Sequence, residues 1–241
     1  MSDFSNSVWA DNQYADNYLG KADIYVMERR KMFWFVCSLC SHFFSDRREV
    51  KLLDLGCGDG ALTEELLKIN KGISATLLDG GEGMLEKASE RLKAYGNITF
   101  IGAAFQALLK GAVSLDTYDL CISSMAIHHL EMDEKAGLFQ LISSSLKPEG
   151  RFVNIDVVLP PSGALEGWYF AIWEDWLSHM MERHNIVDET PLDLIRRYKD
   201  PSTMNRPDTL AYQLRALEAA GFSEVDCYFK SGIFVVFGGK K

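Results

Sequence analysis

Leu52-Leu53-Asp54-Leu55-Gly56-Cys57-Gly58-Asp59-Gly60 is the stretch whose reading decides the fold. The apolar run Val50–Leu55 gives way, across the glycines, to Leu62, Leu66 and Ile69 at helical spacing, so a strand turns directly into a helix. Glycines at such a junction permit a tight turn and let a ligand approach the backbone closely. The same change of period recurs downstream. Ile73–Leu78 is a second apolar run, followed by Met84, Leu85, Ala88 and Leu92 on one helical face, with Gly96 placed to end that helix. Asn97–Ile101, Tyr118–Ser123 and Arg151–Leu159 are three further runs. Leu138, Ile142 and Leu146 mark a helix before the last of them, stopped by Lys147-Pro148-Glu149-Gly150. Strands alternating with helices imply right-handed crossovers and an α/β fold, a doubly wound parallel sheet with helices on both faces.

The rhythm breaks after Leu159. Pro160-Pro161-Ser162-Gly163 opens a segment rich in aromatics (Trp168, Tyr169, Phe170, Trp173, Trp176) that reads as a helical insert over 160–206. The pattern resumes with a helix over Asp208–Ala220, capped by Gly221, and two strands, Val225–Lys230 and Ile233–Phe237, joined at Ser231-Gly232. The expectation is a single domain over 1–241 with a seven-stranded, mostly parallel sheet and an antiparallel last strand. It divides into a helical N-terminal extension (4–48), a ligand-binding core (50–159), the insert (160–206) and the final helix with its hairpin (207–241).

Of the 241 residues, 47% are hydrophobic and 24% charged, ordinary globular usage that supports a sizeable core. Lys and Arg number 25 against 34 Asp and Glu, a net charge of −9. Such a surface repels nucleic acid and anionic membranes on average, so neither is an expected partner. The first cation, Lys21, follows three acids, unlike a secretory leader, and the longest greasy stretch, Met32–Ser45, is shorter than the ~20 residues that span a bilayer. Five cysteines at scattered positions read as reduced thiols of a cytoplasmic protein; Cys37-x-x-Cys40 has no second pair to complete a zinc site, so no metal is expected.

Gly56-x-Gly58-x-x-Ala61 also satisfies a loose dinucleotide fingerprint, and Asp79, ending the second strand, suits a ribose diol in either case. Asp54 discriminates. An acid just before the glycines repels a pyrophosphate but suits a ligand carrying an ammonium and a sulfonium.

These residues resemble the class I S-adenosylmethionine-dependent methyltransferases. Asp54–Gly60 is similar to the family's glycine-rich first motif, and Asp79 in Leu77-Leu78-Asp79-Gly80 to its ribose-binding acid. Ser123–Leu130 resembles the segment on the methyl-donor side, and Leu146–Phe152 the turn before the fifth strand. The antiparallel last strand belongs to this fold and not to ordinary dinucleotide dehydrogenases. The resemblance implies S-adenosylmethionine as donor, S-adenosylhomocysteine as product, and a donor site formed by Asp54, Gly56, Cys57, Gly58, Asp79, Gly80, Met84, Ala104, Phe105 and Ser123. Ala104 stands where many relatives carry an acid for the adenine amino group, which leaves backbone groups, apolar packing and Gln106. His128 is the candidate catalytic residue, the implied acceptor is a small molecule, and a homodimer is one assembly the sequence leaves open.

Structural readings stand beside these. Asp59 fits a helix cap and Met84 simple core. His128-His129 fits a loop pair of which at most one faces the ligand. Arg29-Arg30 fits either a solvated helix face or a partner for the methionyl carboxylate. The aromatics at 168–176 fit either insert core or, with Trp168, Tyr169 and Trp173, an acceptor-side lid. Carboxy-S-adenosylmethionine synthases share the fold, and a donor-binding protein without turnover would keep the same glycines and acids.

Overall fold

The computed structural model describes residue 9 and residues 11–241. Strands β1 (Val50–Leu55), β2 (Ile73–Asp79), β3 (Ile98–Gly102), β4 (Tyr118–Ser124) and β5 (Leu146–Val157) are parallel to one another. They join β6 (Ser223–Ser231) and β7 (Phe234–Lys240) in one sheet of order β3-β2-β1-β4-β5-β7-β6, with β7 antiparallel to both of its neighbours. The expected seven-stranded sheet is therefore present. Its order reverses between β1 and β4, and ligands of such sheets enter outside the carboxyl ends of the strands at that switch point.

Successive β1 residues part between two cores, because side chains alternate across a strand. Val50 and Leu52 join the core under α2 (Arg29–Phe44), α3 (Ala61–Ile69) and α4 (Glu82–Leu92). Leu53 and Leu55 join the core under α5 (Phe105–Leu109), α6 (Met132–Ser145) and α9 (Leu210–Ala219). Asp54 therefore occupies a core-facing position on the α3 side, where an apolar residue would be ordinary.

Several boundaries differ from the sequence reading, two of them by more than a few residues. Helix α4 ends at Leu92, before Gly96 is reached. Strand β5 starts at Leu146 and not at Arg151, because Leu146 already pairs with Tyr118 and the Lys147–Gly150 turn is absorbed as a register shift. Pro148 is tolerated in a strand only at such an irregularity.

The insert is helical and joins the core. It forms α7 (Gly163–Arg183) and α8 (Pro191–Lys199), then a short turn at Pro201–Thr203. The indole N–H groups of Trp173 and Trp176 donate to the carbonyls of Tyr25 and Ile24, each at 2.9 Å, and grip the end of α1 (Asn12–Tyr25). Trp173, Leu177, Met181, Leu194 and Ile195 are buried in the core, so the insert and the extension form one cap. Residues 4–8 and 10 of the expected extension lie outside the described residues. Among the described residues no helix is long and apolar enough to cross a membrane, and all five cysteines are free thiols.

Candidate functional site

The loop after β1 is built from left-handed backbone. Gly56, Gly58 and Gly60 have φ of +68°, +54° and +74°, a region that side chains enter only with strain. At Gly56 a Cβ would stand 2.4 Å from that of Ala126, so the loops after β1 and β4 touch only because the position is glycine. At Gly58 a Cβ would meet no protein atom within 4 Å.

Asp79 ties two loops together, its carboxylate accepting the Gly58 N–H at 2.9 Å and the Gly81 N–H at 2.8 Å. Burial raises its pKa, and these N–H groups oppose the rise. Asp54 is buried and accepts from the Thr63 hydroxyl at 2.6 Å. Burial pushes it up to about 7 against the Thr63 bond, with the charges of Asp79 and Asp59 adding to the rise. Burial, with the charges of Asp54 and Asp79, likewise keeps the Cys57 thiol protonated. Asp59 accepts from Ala61 N–H at 3.3 Å in the first turn of α3 and pairs with Arg91.

A cavity of about 1180 Å³, open mouth included, faces these groups. Asp54, Gly56, Cys57, Gly58, Asp79, Gly80, Met84, Ala104 and Phe105 all line it. Ser123 does not: its hydroxyl donates to the Leu55 carbonyl at 2.7 Å and pins β4 to β1, while Ser124 takes the lining position. Across from the loop lie Tyr18, Phe33 and Arg29. Arg29 is the one cation lining the cavity among the described residues; it bonds Asp23 at 2.6 Å and stacks on the Phe33 ring.

A second cavity, about 760 Å³, shares Trp9, Tyr18 and Met125 with the first. His128 lines it, with Nδ1 2.5 Å from Oδ1 of the fully buried Asp156. Asn154 donates to the other carboxylate oxygen at 3.1 Å. A carboxylate oxygen accepts, so Nδ1 is the donor of this pair, and a neutral ring leaves Nε2 with a lone pair. That atom makes no hydrogen bond among the described residues. His129 turns the other way and lines the first cavity, its Nδ1 3.4 Å from the Met204 carbonyl. Burial keeps His129 neutral to well below the usual histidine range. Of the three suggested lid aromatics Trp173 lines the second cavity, whereas Trp168 and Tyr169 line neither of these two; Trp168 is exposed and Tyr169 packs beside Gly232 and Lys230. Thr63 went unread in the sequence because its role appears only once α3 folds back beneath Asp54.

Residues 52–150 match the family described as a methyltransferase domain. That match, over about two fifths of the chain, supports a class I S-adenosylmethionine-dependent methyltransferase. A carboxy-S-adenosyl-L-methionine synthase of Nautilia profundicola is 21% identical over 83% of this chain and 80% of that protein. A malonyl-[acyl-carrier protein] O-methyltransferase of Halalkalibacterium halodurans is 30% identical over 43% of this chain and 40% of its own length. Human N-acetylserotonin methyltransferase, solved with S-adenosylmethionine, shares the fold at 17% identity and a TM-score of 0.62, covering 97% of this chain and 57% of that one. An O-methyltransferase family protein of Burkholderia thailandensis does so at 13% and 0.64, covering 98% and 62%. This methyltransferase thus spans about three fifths of the length of the solved structures it matches. The methyltransferase-domain match supports S-adenosylmethionine as cofactor, with S-adenosylhomocysteine as its product.

The first cavity's groups fit that cofactor. Gly58 leaves room beside the loop, Asp79 offers a carboxylate for a diol, and Met84 and Phe105 offer apolar surface. Asp54 with Arg29 complements an amino-acid ammonium and carboxylate. Asp79→Ala removes charge-assisted hydrogen bonds worth about 1.5–3 kcal/mol, so calorimetry with S-adenosylhomocysteine should show affinity down about 10- to 100-fold. Unchanged affinity with a lowered melting temperature would make Asp79 a loop clasp only.

Asp54 adds a pH dependence. Its folded pKa of about 7 lies above the ordinary 3.8. The folded state therefore holds the extra proton between those values, and Asp54 costs stability increasingly as pH rises from about 4 to about 7. A ligand ammonium selects the ionised form. Affinity for S-adenosylhomocysteine should be about tenfold weaker at pH 6 than at pH 8, and Asp54→Asn should flatten that slope. An equal slope in the variant would place the titration elsewhere.

Proposed function

We propose that this methyltransferase transfers the methyl group of S-adenosylmethionine to a small-molecule acceptor held in the second cavity, with His128 as the base. Asp79 would hold the donor's ribose, and Asp54 with Arg29 its amino-acid end. The carrying observation is the shared wall: Trp9, Tyr18 and Met125 border both cavities, and an aligned His128–Asp156 pair lies beyond it.

The donor, when bound, supplies a methyl carbon already activated by a positive sulfur. What remains for the chain is to position, to exclude water and to move one proton. The cap of α1, α7 and α8 covers the acceptor side and excludes solvent. Asp156 fixes the His128 tautomer, as a buried carboxylate orients a catalytic imidazole, and Nε2 takes the acceptor's proton. The five free thiols support a cytoplasmic enzyme.

Likeness over four fifths of a carboxy-S-adenosyl-L-methionine synthase supports a second reading, in which the donor itself is modified. Incubation of the protein with S-adenosylmethionine and a small-molecule extract, followed by mass analysis, decides. The expected result is S-adenosylhomocysteine together with a methylated extract component. A carboxylated donor would establish the second reading, and bound but unconsumed donor would overturn both.

A further inference from the structure

We infer that this chain pairs with a second copy of itself through the outer face of α2, the two helices running antiparallel with the two-fold axis at Ser38. The inference concerns a surface away from both cavities and stands whatever acceptor the enzyme uses.

The seam is periodic. Lys31, Trp34, Ser38, Ser41 and Ser45 are all exposed, and they recur at alternating steps of three and four residues, which lays them along one line of the helix. The opposite side of the helix, with Met32, Phe33, Val36, Cys40 and Phe44, is buried in the core. Trp34 is 61% exposed. The Phe35 ring beside it reaches the Phe229 ring of β6 at 5.4 Å, so the apolar surface continues from the helix onto the edge of the sheet. Phe43, also exposed, carries it to the far end of α2. Contiguous apolar surface of this kind marks an interaction site, and tryptophan is enriched at the centres of such sites.

Shape selects a second copy. Antiparallel pairing about Ser38 lays Trp34 of each copy on Ser41 and His42 of the other, large against small on both sides of the axis. An isologous contact needs such self-complementarity. The serines leave a shallow notch that a projecting side chain fills. A bilayer has no such projection, and inserting the seam would strip water from three hydroxyls.

Charge selects the direction. No acid occurs in α2. Lys31 lies over the Phe229 ring at 5.4 Å with no carboxylate in ion-pair range among the described residues. Asp46, just past the other end, accepts only from the Ser45 hydroxyl. Antiparallel pairing brings Lys31 of each copy to Asp46 of the other, whereas parallel pairing sets lysine against lysine. A helix of 16 residues, about 24 Å long, flanked by these rings supplies roughly 600 Å² per partner, the lower end for a specific interface.

Sedimentation of the whole chain from about 1 to 200 μM should therefore show a dimer with a dissociation constant of about 1–50 μM. Trp34→Asp should be monomeric throughout, with circular dichroism and S-adenosylhomocysteine affinity unchanged. The milder Trp34→Ser should raise the constant about tenfold or more. Ser38→Cys should give a disulfide-linked dimer under mild oxidation, because the axis sets that residue against its own copy. Ser178→Cys, equally exposed on α7, should not. Lys31→Glu should weaken pairing about threefold, and adding Asp46→Lys should restore it. A monomer at every concentration, a dimer indifferent to both Trp34 variants, or cross-linking no faster at 38 than at 178 would overturn the inference. So would a charge swap that restores nothing, or a monomer that floats with phosphatidylglycerol vesicles only while Trp34 is present, which would give this face to lipid.

Discussion

Gly58→Val is expected to abolish donor binding while leaving the chain folded. Gly58 has φ of +54° and lines the first cavity, and a Cβ there meets no protein atom within 4 Å. The space a valine would fill is ligand space, so calorimetry should find affinity for S-adenosylhomocysteine reduced beyond about 100-fold. The backbone cost of forcing a branched side chain into the left-handed region is about 1–3 kcal/mol. In a chain of this size that lowers the melting temperature by several degrees without unfolding it. Gly111→Val supplies the control. Gly111 has φ of +71° and open space around it but does not line the cavity, so its variant carries the same strain with donor affinity intact. Near-normal binding by Gly58→Val would remove the loop from the donor site.

The second large effect is at His128. Once an acceptor is in hand, His128→Ala should lower turnover by about 10²- to 10⁴-fold, the usual worth of a positioned general base. Donor affinity should be unchanged, because His128 lines the second cavity and not the first. Asp156→Asn should reproduce part of the loss, since an amide can turn its N–H toward Nδ1 and favour the wrong tautomer. If His129→Ala alone slows turnover, the base lies on the donor side, and the assignment moves one residue along.

Much of this was legible in the sequence, for physical reasons that can be named residue by residue. The bounds of β1 read directly because a central parallel strand is apolar on both faces and ends where glycines begin. Gly221 caps α9 as expected and has φ of +90°. The donor loop reads because its chemistry is local: glycine spacing and flanking acids lie within one turn. Ser123 shows where local reading stops. Period-two alternation puts Ser123 and Ser124 on opposite faces, but which face meets the cavity depends on where β1 lies, and the Leu55 carbonyl claims Ser123. The insert was legible as helical and aromatic, yet its role was not. Trp173 bonds Tyr25 across 148 residues of sequence, and no pattern within the insert announces that contact. The Asn154–Asp156–His128 chain is similarly hidden, because Asp156 reaches His128 only when β5 lies beside β4.

A crystal structure of the protein with S-adenosylhomocysteine tests the central claim most directly. The account expects the ribose hydroxyls on Asp79, the amino-acid end between Asp54 and Arg29, and the sulfur facing the wall of Trp9, Tyr18 and Met125 toward His128. A ligand seated elsewhere, or one whose sulfur points away from the second cavity, would contradict it.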